Sequence, residues 1–152
     1  MKIFYYCFGS AHSSVVASCL HLGKLPDDRI PQANEIENLP YYDRTESHQI
    51  GTPFLMGVDE FGHQVYILGM GSYRKIVKNS LKDIMQIYHI SPEEVLFVNS
   101  LKAVNLTTRI GGFLSRALGW VSIGRPLTIN GIIKNYSEYI DLVATAKKKI
   151  KI

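Results

Sequence analysis

Short apolar runs alternate with stretches in which apolar residues recur three and four positions apart, a pattern that predicts strands and helices in turn. The predicted strands are residues 2–7, 54–58, 65–68, 95–98 and 120–123. The predicted helices are residues 13–22, 32–38, 72–88, 105–118 and a long helix from residue 131 to the C-terminal lysines. Their main predicted buried stripes are Val15, Val16, Cys19 and Leu20; Val77, Leu81, Ile84 and Tyr88; Ile110, Phe113, Leu114 and Ala117; and Ile132, Tyr136, Ile140 and Val143.

This order of elements predicts the fold class. Strands that alternate with helices imply right-handed crossovers and a three-layer, mainly parallel α/β sheet. The short, mainly polar connection at residues 59–64, which contains Gly62, predicts a β-hairpin whose first strand is the antiparallel member. We therefore expect a P-loop-like (Rossmann-type) α/β fold with a β-hairpin, formed by residues 1–152 as a single domain.

Two segments interrupt the regular pattern. Residues 24–52 contain Pro26, Pro31, Pro40 and Gly51 in a polar stretch, which predicts an irregular connection, either a lid or a surface excursion. Residues 147–152 form a basic tail that holds much of the excess in a net charge of +4. No basic patch interleaved with aromatic residues accompanies it, so we expect a solvated tail and no nucleic-acid partner.

The composition indicates the cellular compartment in which we expect the protein. Only two cysteines occur among 152 residues, too few for a disulfide scaffold, so we expect a reducing compartment. No run reaches the roughly 18 apolar residues that a membrane span requires. The sequence therefore predicts a cytoplasmic protein with no membrane partner, and it leaves a homo-oligomer open.

The first strand runs directly into a loop of small residues and then into a helix. Such a turn aims unpaired backbone N–H groups and the positive end of the helix dipole at one point, which favours an anion. The usual phosphate loop ends in Gly-Lys-Ser/Thr, whereas this chain has Ala11, His12 and Ser13 there. The predicted phosphate ligands in this loop are Gly9, Ser10, His12, Ser13 and Ser14.

Further polar residues follow the other predicted strands. Because ligands of open parallel sheets bind outside the carboxyl ends of the strands, we expect Ser72, Asn99 and Arg125 to approach the same site. Arg109 and Arg116 share one predicted helical stripe with Gly112, and a ligand, close helix packing or ordinary surface charge would each explain that stripe. Glycine and serine are also common at any strand-to-helix turn, so a purely structural loop remains an alternative.

His12 and Cys7 are the candidate catalytic residues. The dipole at a helix N-terminus disfavours the positive form of His12, which would leave a neutral imidazole for acid–base work or for simple capping. Cys7 stands where low-molecular-weight tyrosine phosphatases carry their nucleophile, but Ser13 occupies the place of their phosphate-binding arginine. ATP hydrolysis is disfavoured because the strand 95–98 runs into Asn99 and not into an acid.

Metal binding is not expected. Cys19 and His21 are two residues apart on a predicted helix and point in different directions, and the other histidines, His48, His63 and His89, are scattered. Asp59 and Glu60 are predicted hairpin-turn residues, with a general-base role as the alternative.

Several motifs together resemble the bacterial family known as domain of unknown function 3189. They are Tyr6 to Ala17, His21-Leu22-Gly23-Lys24-Leu25-Pro26, Met56 to Gly62, Arg109 to Arg116 and Gly124-Arg125-Pro126. The resemblance covers nearly the whole chain and implies a soluble, single-domain bacterial protein with no assigned activity. The family often has Gly-Gly-Thr before His-Ser-Ser, whereas this chain has Gly9-Ser10-Ala11, which removes one glycine and one hydroxyl from the loop.

These observations lead to one principal expectation and two alternatives. The principal expectation is a domain that binds a phosphorylated small molecule or a nucleotide at a degenerate phosphate loop, with phosphoryl transfer as the reaction class if it is an enzyme. A non-catalytic regulatory or protein-interaction domain is the first alternative, and a cysteine-dependent phosphatase-like enzyme is the second. The sequence specifies no cofactor.

Overall fold

The structure is a computed structural model in which residues 1–150 are described. Its strands are β1 (Lys2–Cys7), β2 (Pro53–Val58), β3 (Gln64–Gly69) and β4 (Val95–Asn99). Its α-helices are α1 (Ser13–His21), α2 (Ala33–Glu37), α3 (Arg74–Ile87), α4 (Leu106–Arg116), α5 (Val121–Lys134) and α6 (Tyr136–Ile150). Short 3₁₀ turns lie at Ser47–Gln49, Pro92–Glu94 and Ser100–Ala103.

The strands form one mixed sheet in the order β2-β3-β1-β4. β1 pairs in parallel with both β3 and β4, while β2 pairs antiparallel with β3 as the predicted hairpin. In this register Cys7 lies beside Gly69 and Tyr6 beside Asn99. The carboxyl ends of the three parallel strands therefore meet at one edge of the sheet, and the predicted α/β class with a hairpin is confirmed.

The two faces of the sheet are covered unequally. Ile3 and Tyr5 of β1 belong to the main core with residues of α1 and α6, such as Val15 and Tyr139. The opposite face holds a much smaller cluster around Tyr6, against which residues of α3 pack. Alternation of side chains along β1 explains this division, because successive residues of a strand point to opposite faces. The main core therefore lies on the face that carries α1.

The predicted strand at residues 120–123 is wrong. Trp120 precedes α5, and residues 121–123 form the first turn of this helix, which continues through Gly124, Arg125 and Pro126. Gly124 is required there because a Cβ would lie 2.6 Å from the Gly111 carbonyl oxygen of α4. Pro126 removes one backbone donor from this helix. Arg125 consequently projects from a helix and does not follow a strand.

The buried face predicted for α4 is also wrong. Ile110 and Phe113 are 49% and 59% exposed, whereas Thr108, Gly111 and Ser115 are buried. A Cβ on Gly111 would meet the backbone nitrogen of Thr128 at 2.7 Å. Helices α4 and α5 thus approach through small residues, which turns the larger apolar side chains of α4 outward.

The long C-terminal helix is interrupted at Asn135, where α5 ends and α6 begins. Ile132, Tyr136 and Val143 of its predicted stripe are nevertheless buried. On α3, by contrast, Ile84 and Tyr88 of the predicted stripe are exposed. The last turn of α6 contains Lys147, Lys148 and Lys149, and residues 151–152 of the predicted tail lie outside the described residues.

The irregular connection at residues 24–52 is anchored to the domain. Leu25, Ile36, Leu39 and Tyr42 belong to the main core. The segment passes the carboxyl edge of the sheet, where the Gly51 N–H donates to the Gly69 carbonyl over 2.8 Å. Within residues 1–150, no helix is both long and apolar enough to cross a membrane.

Candidate functional site

A pocket of about 470 Å³ lies at the carboxyl end of β1. Its lining comes from the loop after β1, the irregular connection, the 3₁₀ turn after β4, and one face of α4. Of the predicted site residues, the lining includes Cys7, Gly9, His12, Ser13, Arg109 and Arg116, together with Gly112. The tertiary structure therefore brings the opening loop and the arginine stripe of α4 to a single cavity.

Four carbonyl groups at the end of β1 and in the loop that follows it accept hydrogen bonds from neighbouring segments. The Cys7, Phe8 and Ala11 carbonyls accept hydrogen bonds from the backbone N–H groups of Met70, Gly71 and Asp43 at 2.9–3.0 Å. The Gly9 carbonyl accepts one from the Thr45 hydroxyl at 2.8 Å. These bonds fix the loop from the carbonyl side.

Its N–H groups are left available. Within residues 1–150, the N–H groups of Gly9, Ala11, His12 and Ser13 have no hydrogen-bond acceptor. Ser10 adopts a left-handed conformation, with φ of 56°. A left-handed residue among successive free N–H groups is the geometry of backbone anion-binding concavities.

Cys7 lies at the base of this loop. Its side chain is buried, and its Sγ accepts a hydrogen bond from the Ser10 N–H at 3.1 Å. The Ser14 hydroxyl lies 3.2 Å from the same sulfur. Both groups can donate to Sγ.

Asp43 joins the loop to α4 and α5. Its side chain is inaccessible to solvent, and it accepts hydrogen bonds from His12 Nε2 at 3.1 Å, Ser115 Oγ at 2.6 Å and Arg125 Nε at 3.3 Å. An Arg116 Nη1 lies 3.9 Å from its Oδ1. Burial alone would raise the pKa of Asp43, but the bonds from His12, Ser115 and Arg125 outweigh it and hold the pKa at about 2. Asp43 is therefore an ionised carboxylate that holds three elements together.

Sequence reasoning missed Asp43. It lies in the irregular connection with φ of 53°, and its partners Ser115 and Arg125 are 72 and 82 residues away in the chain. No local motif marks it. The weak available signal is a single acid that follows Tyr41 and Tyr42 in a segment otherwise read as a lid or a surface excursion.

His12 has one ring nitrogen engaged and one available. Its Nε2 bonds Asp43, and its ring makes an edge contact with Tyr42, with ring centroids 5.3 Å apart. A Cβ placed on Gly112 would lie 3.5 Å from Nδ1. Glycine at position 112 thus keeps this nitrogen accessible from the pocket. This is a reason for a glycine at position 112, although glycine lowers helix stability.

The arginines have different surroundings. Arg109 lines the pocket, and within residues 1–150 it forms no ion pair. Arg116 also lines it and donates to the Asp43 carbonyl oxygen at 3.4 Å. Arg125 bonds Asp43 and Glu37 and is absent from the pocket lining that the described residues form. Arg109 is consequently the positive charge most available to an anion.

The remaining predicted residues, Ser10, Ser14, Ser72 and Asn99, are absent from the lining that residues 1–150 form. Ser14 contacts the Cys7 sulfur, and the Ser10 hydroxyl is buried without a partner among the described residues. Asn99 accepts a hydrogen bond from the Leu101 N–H. Ser72 is exposed just before α3. Their part in ligand binding stays a prediction.

A second histidine–aspartate pair lies at the other end of α1. His21 Nε2 is 3.1 Å from Asp59 Oδ2, and His21 Nδ1 is 2.8 Å from the Tyr5 hydroxyl. Burial lowers the pKa of His21 below its usual 6.5, although Asp59 opposes that shift. Asp59 also accepts from the N–H groups of Phe61 and His63, so it closes the predicted hairpin turn. Within residues 1–150, no group of three or more His, Cys, Asp or Glu residues is arranged to hold a metal ion.

Comparison with known proteins identifies a family whose function is unknown. No curated protein and no solved structure matches the chain significantly. The model of one family, described as "Protein of unknown function (DUF3189)", matches residues 2–148. The match covers nearly the whole chain, and the protein therefore belongs to the DUF3189 family.

Proposed function

We propose that this protein binds a phosphorylated small molecule in the pocket at the carboxyl end of β1, with the loop at residues 8–13 as a phosphate loop. The observation that carries the proposal is the backbone of this loop. The carbonyl groups of Phe8, Gly9 and Ala11 accept hydrogen bonds from neighbouring segments, while the N–H groups of Gly9, Ala11, His12 and Ser13 are free within residues 1–150. Those donors lie in the turn before α1 and at its first residue, where the helix dipole favours negative charge.

The surrounding charge supports the same ligand. Arg109 and Arg116 line the pocket, and a guanidinium matches the geometry of phosphate oxygens. They take the place of the lysine that the loop lacks. The arrangement of strand, loop and helix supports a P-loop-like, Rossmann-type description. The site favours phosphate binding over ATP hydrolysis, because β4 ends in Asn99 and not in an acid that could hold Mg²⁺. Glu46 also lines the pocket, and its carboxylate lies 3.3 Å from Nδ1 of the exposed His48.

Thermal unfolding with inorganic phosphate tests the proposal. A ligand at 100 times its Kd stabilises the folded state by about 2.7 kcal/mol, which for a chain of this size raises Tm by roughly 5–10 °C. Phosphate also stabilises proteins non-specifically, so the readout is the difference between the wild type and Arg109→Ala. We expect Arg109→Ala to lose most of the shift. The matched control is Arg29→Ala, which removes an exposed arginine paired with Glu35 and should retain it. Equal shifts in all three proteins would refute the site.

A second candidate function is a cysteine-dependent phosphatase-like reaction, favoured by the two groups that can donate to Cys7 Sγ. The Cys7 thiolate would attack the phosphorus of a monoester, the ester P–O bond would break, and the departing oxygen would take the Nδ1 proton of a protonated His12, leaving its imidazole neutral. Water, deprotonated by His12, would then cleave the S–P bond and release inorganic phosphate and the thiolate. Arg109 and Arg116 would supply the guanidinium that Ser13 replaces in the loop.

Hydrolysis of p-nitrophenyl phosphate separates this candidate from binding alone. Cys7→Ser should abolish turnover and leave phosphate binding intact. Cys19→Ser is the matched control because burial raises the pKa of the Cys19 thiol to about 11, which leaves it unreactive. Phosphate binding without turnover in the wild type would exclude the catalytic candidate and leave a binding or regulatory domain.

A further inference from the structure

The lining of the pocket is mainly apolar, although its proposed ligand carries a phosphate. Phe8, Ile50, Leu101, Val104 and Phe113 all contribute to it. Phe8 and Phe113 are 53% and 59% exposed. Such exposure of aromatic rings around one cavity is the usual mark of a surface that a ligand or partner covers.

The same cavity carries the groups proposed to hold the phosphate. Phe8 directly follows Cys7, and Phe113 shares a face of α4 with Arg109 and Arg116. Residues three and four positions apart lie next to one another on a helix, so the charged and apolar parts of the lining are adjacent. A bare phosphate would satisfy the arginines but leave the phenylalanine rings in water.

The polar side chains available to a sugar or a base are few. Besides the residues assigned to the phosphate, the lining has Glu46, Ser47 and Thr108. Thr108 is buried and its hydroxyl already donates to Asn105. The Glu46 carboxylate would repel a second phosphate group. The lining is therefore poorly suited to a nucleoside di- or triphosphate.

From the adjacent charge and apolar surface, we infer that the ligand is a phosphate monoester of an aromatic alcohol. Its phosphate lies against the loop at residues 8–13 and Arg109, and its ring packs on Phe8 and Phe113. This inference rests on the proposed function, because it names the class of ligand for that same pocket. Burial of an aromatic ring contributes roughly 25 cal/mol per Å² of apolar surface. An aryl phosphate should consequently bind at least about tenfold more tightly than inorganic phosphate.

Calorimetric titration of Cys7→Ser, which prevents turnover by the cysteine route, with matched compounds tests the inference. The probes are inorganic phosphate, phenyl phosphate, 1-naphthyl phosphate, glycerol 3-phosphate and AMP. We expect 1-naphthyl phosphate to bind most tightly, then phenyl phosphate, with glycerol 3-phosphate close to inorganic phosphate. If no probe binds, the proposed function itself fails. If inorganic phosphate binds but the aryl phosphates bind no more tightly, or AMP binds most tightly, only the aryl inference is overturned.

Two variants locate the ring. Phe113→Ala should reduce the advantage of phenyl phosphate over inorganic phosphate several-fold and leave the affinity for inorganic phosphate unchanged. Ile123→Ala removes a similarly exposed apolar residue, 52% exposed on α5 and outside the pocket lining formed by the described residues, and should change neither affinity. An equal loss of both affinities in Phe113→Ala, or the same loss in Ile123→Ala, would contradict the placement of the ring.

Discussion

Helix α1 carries a histidine–aspartate pair at each end, and the two pairs have different surroundings. His12–Asp43 and His21–Asp59 both have a nitrogen-to-oxygen distance of 3.1 Å. The His21 side chain is completely buried, whereas that of His12 is 12% exposed. In the His21 pair both ring nitrogens are bonded, since the Tyr5 hydroxyl occupies Nδ1. In the His12 pair Nδ1 is left facing Gly112 at the pocket.

The comparison shows that a hydrogen-bonded His–Asp pair does not by itself identify a functional site. The His21 pair satisfies buried polar groups and fixes the hairpin turn against α1, so its role is structural. The His12 pair has a spare nitrogen, a cavity beside it and arginines from two helices on its aspartate. The proposed role of the His12 pair therefore rests on its partial exposure and on its second ring nitrogen, which faces the pocket.

The largest expected effect is on stability, from His21→Ala. This change leaves the buried Asp59 carboxylate and Tyr5 hydroxyl without a shared partner and creates a cavity, which should cost about 3 kcal/mol. His12→Ala should cost about 1 kcal/mol, because Asp43 keeps Ser115 and Arg125. Urea unfolding of both variants measures the difference. Similar losses for the two variants would remove the structural distinction between the pairs.

The next effect comes from the paired glycines of α4. Gly111→Ala should destabilise the protein by about 1–3 kcal/mol, since its Cβ would meet the Leu127 Cβ and the Gly124 carbonyl oxygen at 2.8 Å. Gly112→Ala places its Cβ in ordinary contact with His12 and gains helix propensity. We expect it to leave stability unchanged or raised by up to about 1 kcal/mol, while weakening phosphate binding several-fold. Thermal unfolding and phosphate titration of both variants check this, and normal phosphate binding by Gly112→Ala would argue against access through that face.

A smaller effect concerns pH. Because the pKa of His21 is lowered in the folded state, the unfolded state binds more protons below the usual pKa of 6.5, and stability is lost as the pH falls below that value. Asp43 and Asp59 have folded-state pKa values of about 2 against a usual 3.8. The contribution of these two carboxylates to the free energy of unfolding is present above about pH 4 and disappears as the pH falls toward 2. Tm should therefore decline in two stages.

His21→Gln isolates the first stage. The variant lacks the titrating imidazole, so its Tm relative to that at pH 7 should fall less between pH 6.5 and 5 than that of the wild type. His48→Gln, which replaces an exposed histidine, is the matched control and should keep the wild-type profile. An unchanged decline in His21→Gln would assign the effect to another group.

The smallest effect is expected from Ser10→Gly. Ser10 has φ of 56° and a buried hydroxyl without a partner among the described residues. Glycine adopts this φ without strain and removes the unpartnered hydroxyl, although it increases the entropy of the unfolded chain. We expect a gain of about 0.5 kcal/mol with phosphate affinity retained, measured by urea unfolding and titration. A loss of stability would mean that the hydroxyl has a role in the fold.

Much of the local structure could be predicted from the sequence. The first strand, the loop of small residues, α1 and the hairpin followed from patterns within about ten residues, because strand and helix periodicity are local properties. The sequence also selected Cys7, His12, Arg109 and Arg116, all of which line the pocket. Their role as ligands stays a prediction that the phosphate titrations test.

Other features depended on contacts between distant parts of the chain. Residues 120–123 resemble a strand locally, yet residues 121–123 begin a helix, and Gly124 allows that helix to pack on Gly111. The same contact turns Phe113 toward solvent, against its apolar character. The sequence by itself thus determined the order of most elements and the position of the loop. Only the tertiary structure decided that Asp43 would hold His12, because its partners converge only when α4 and α5 pack together.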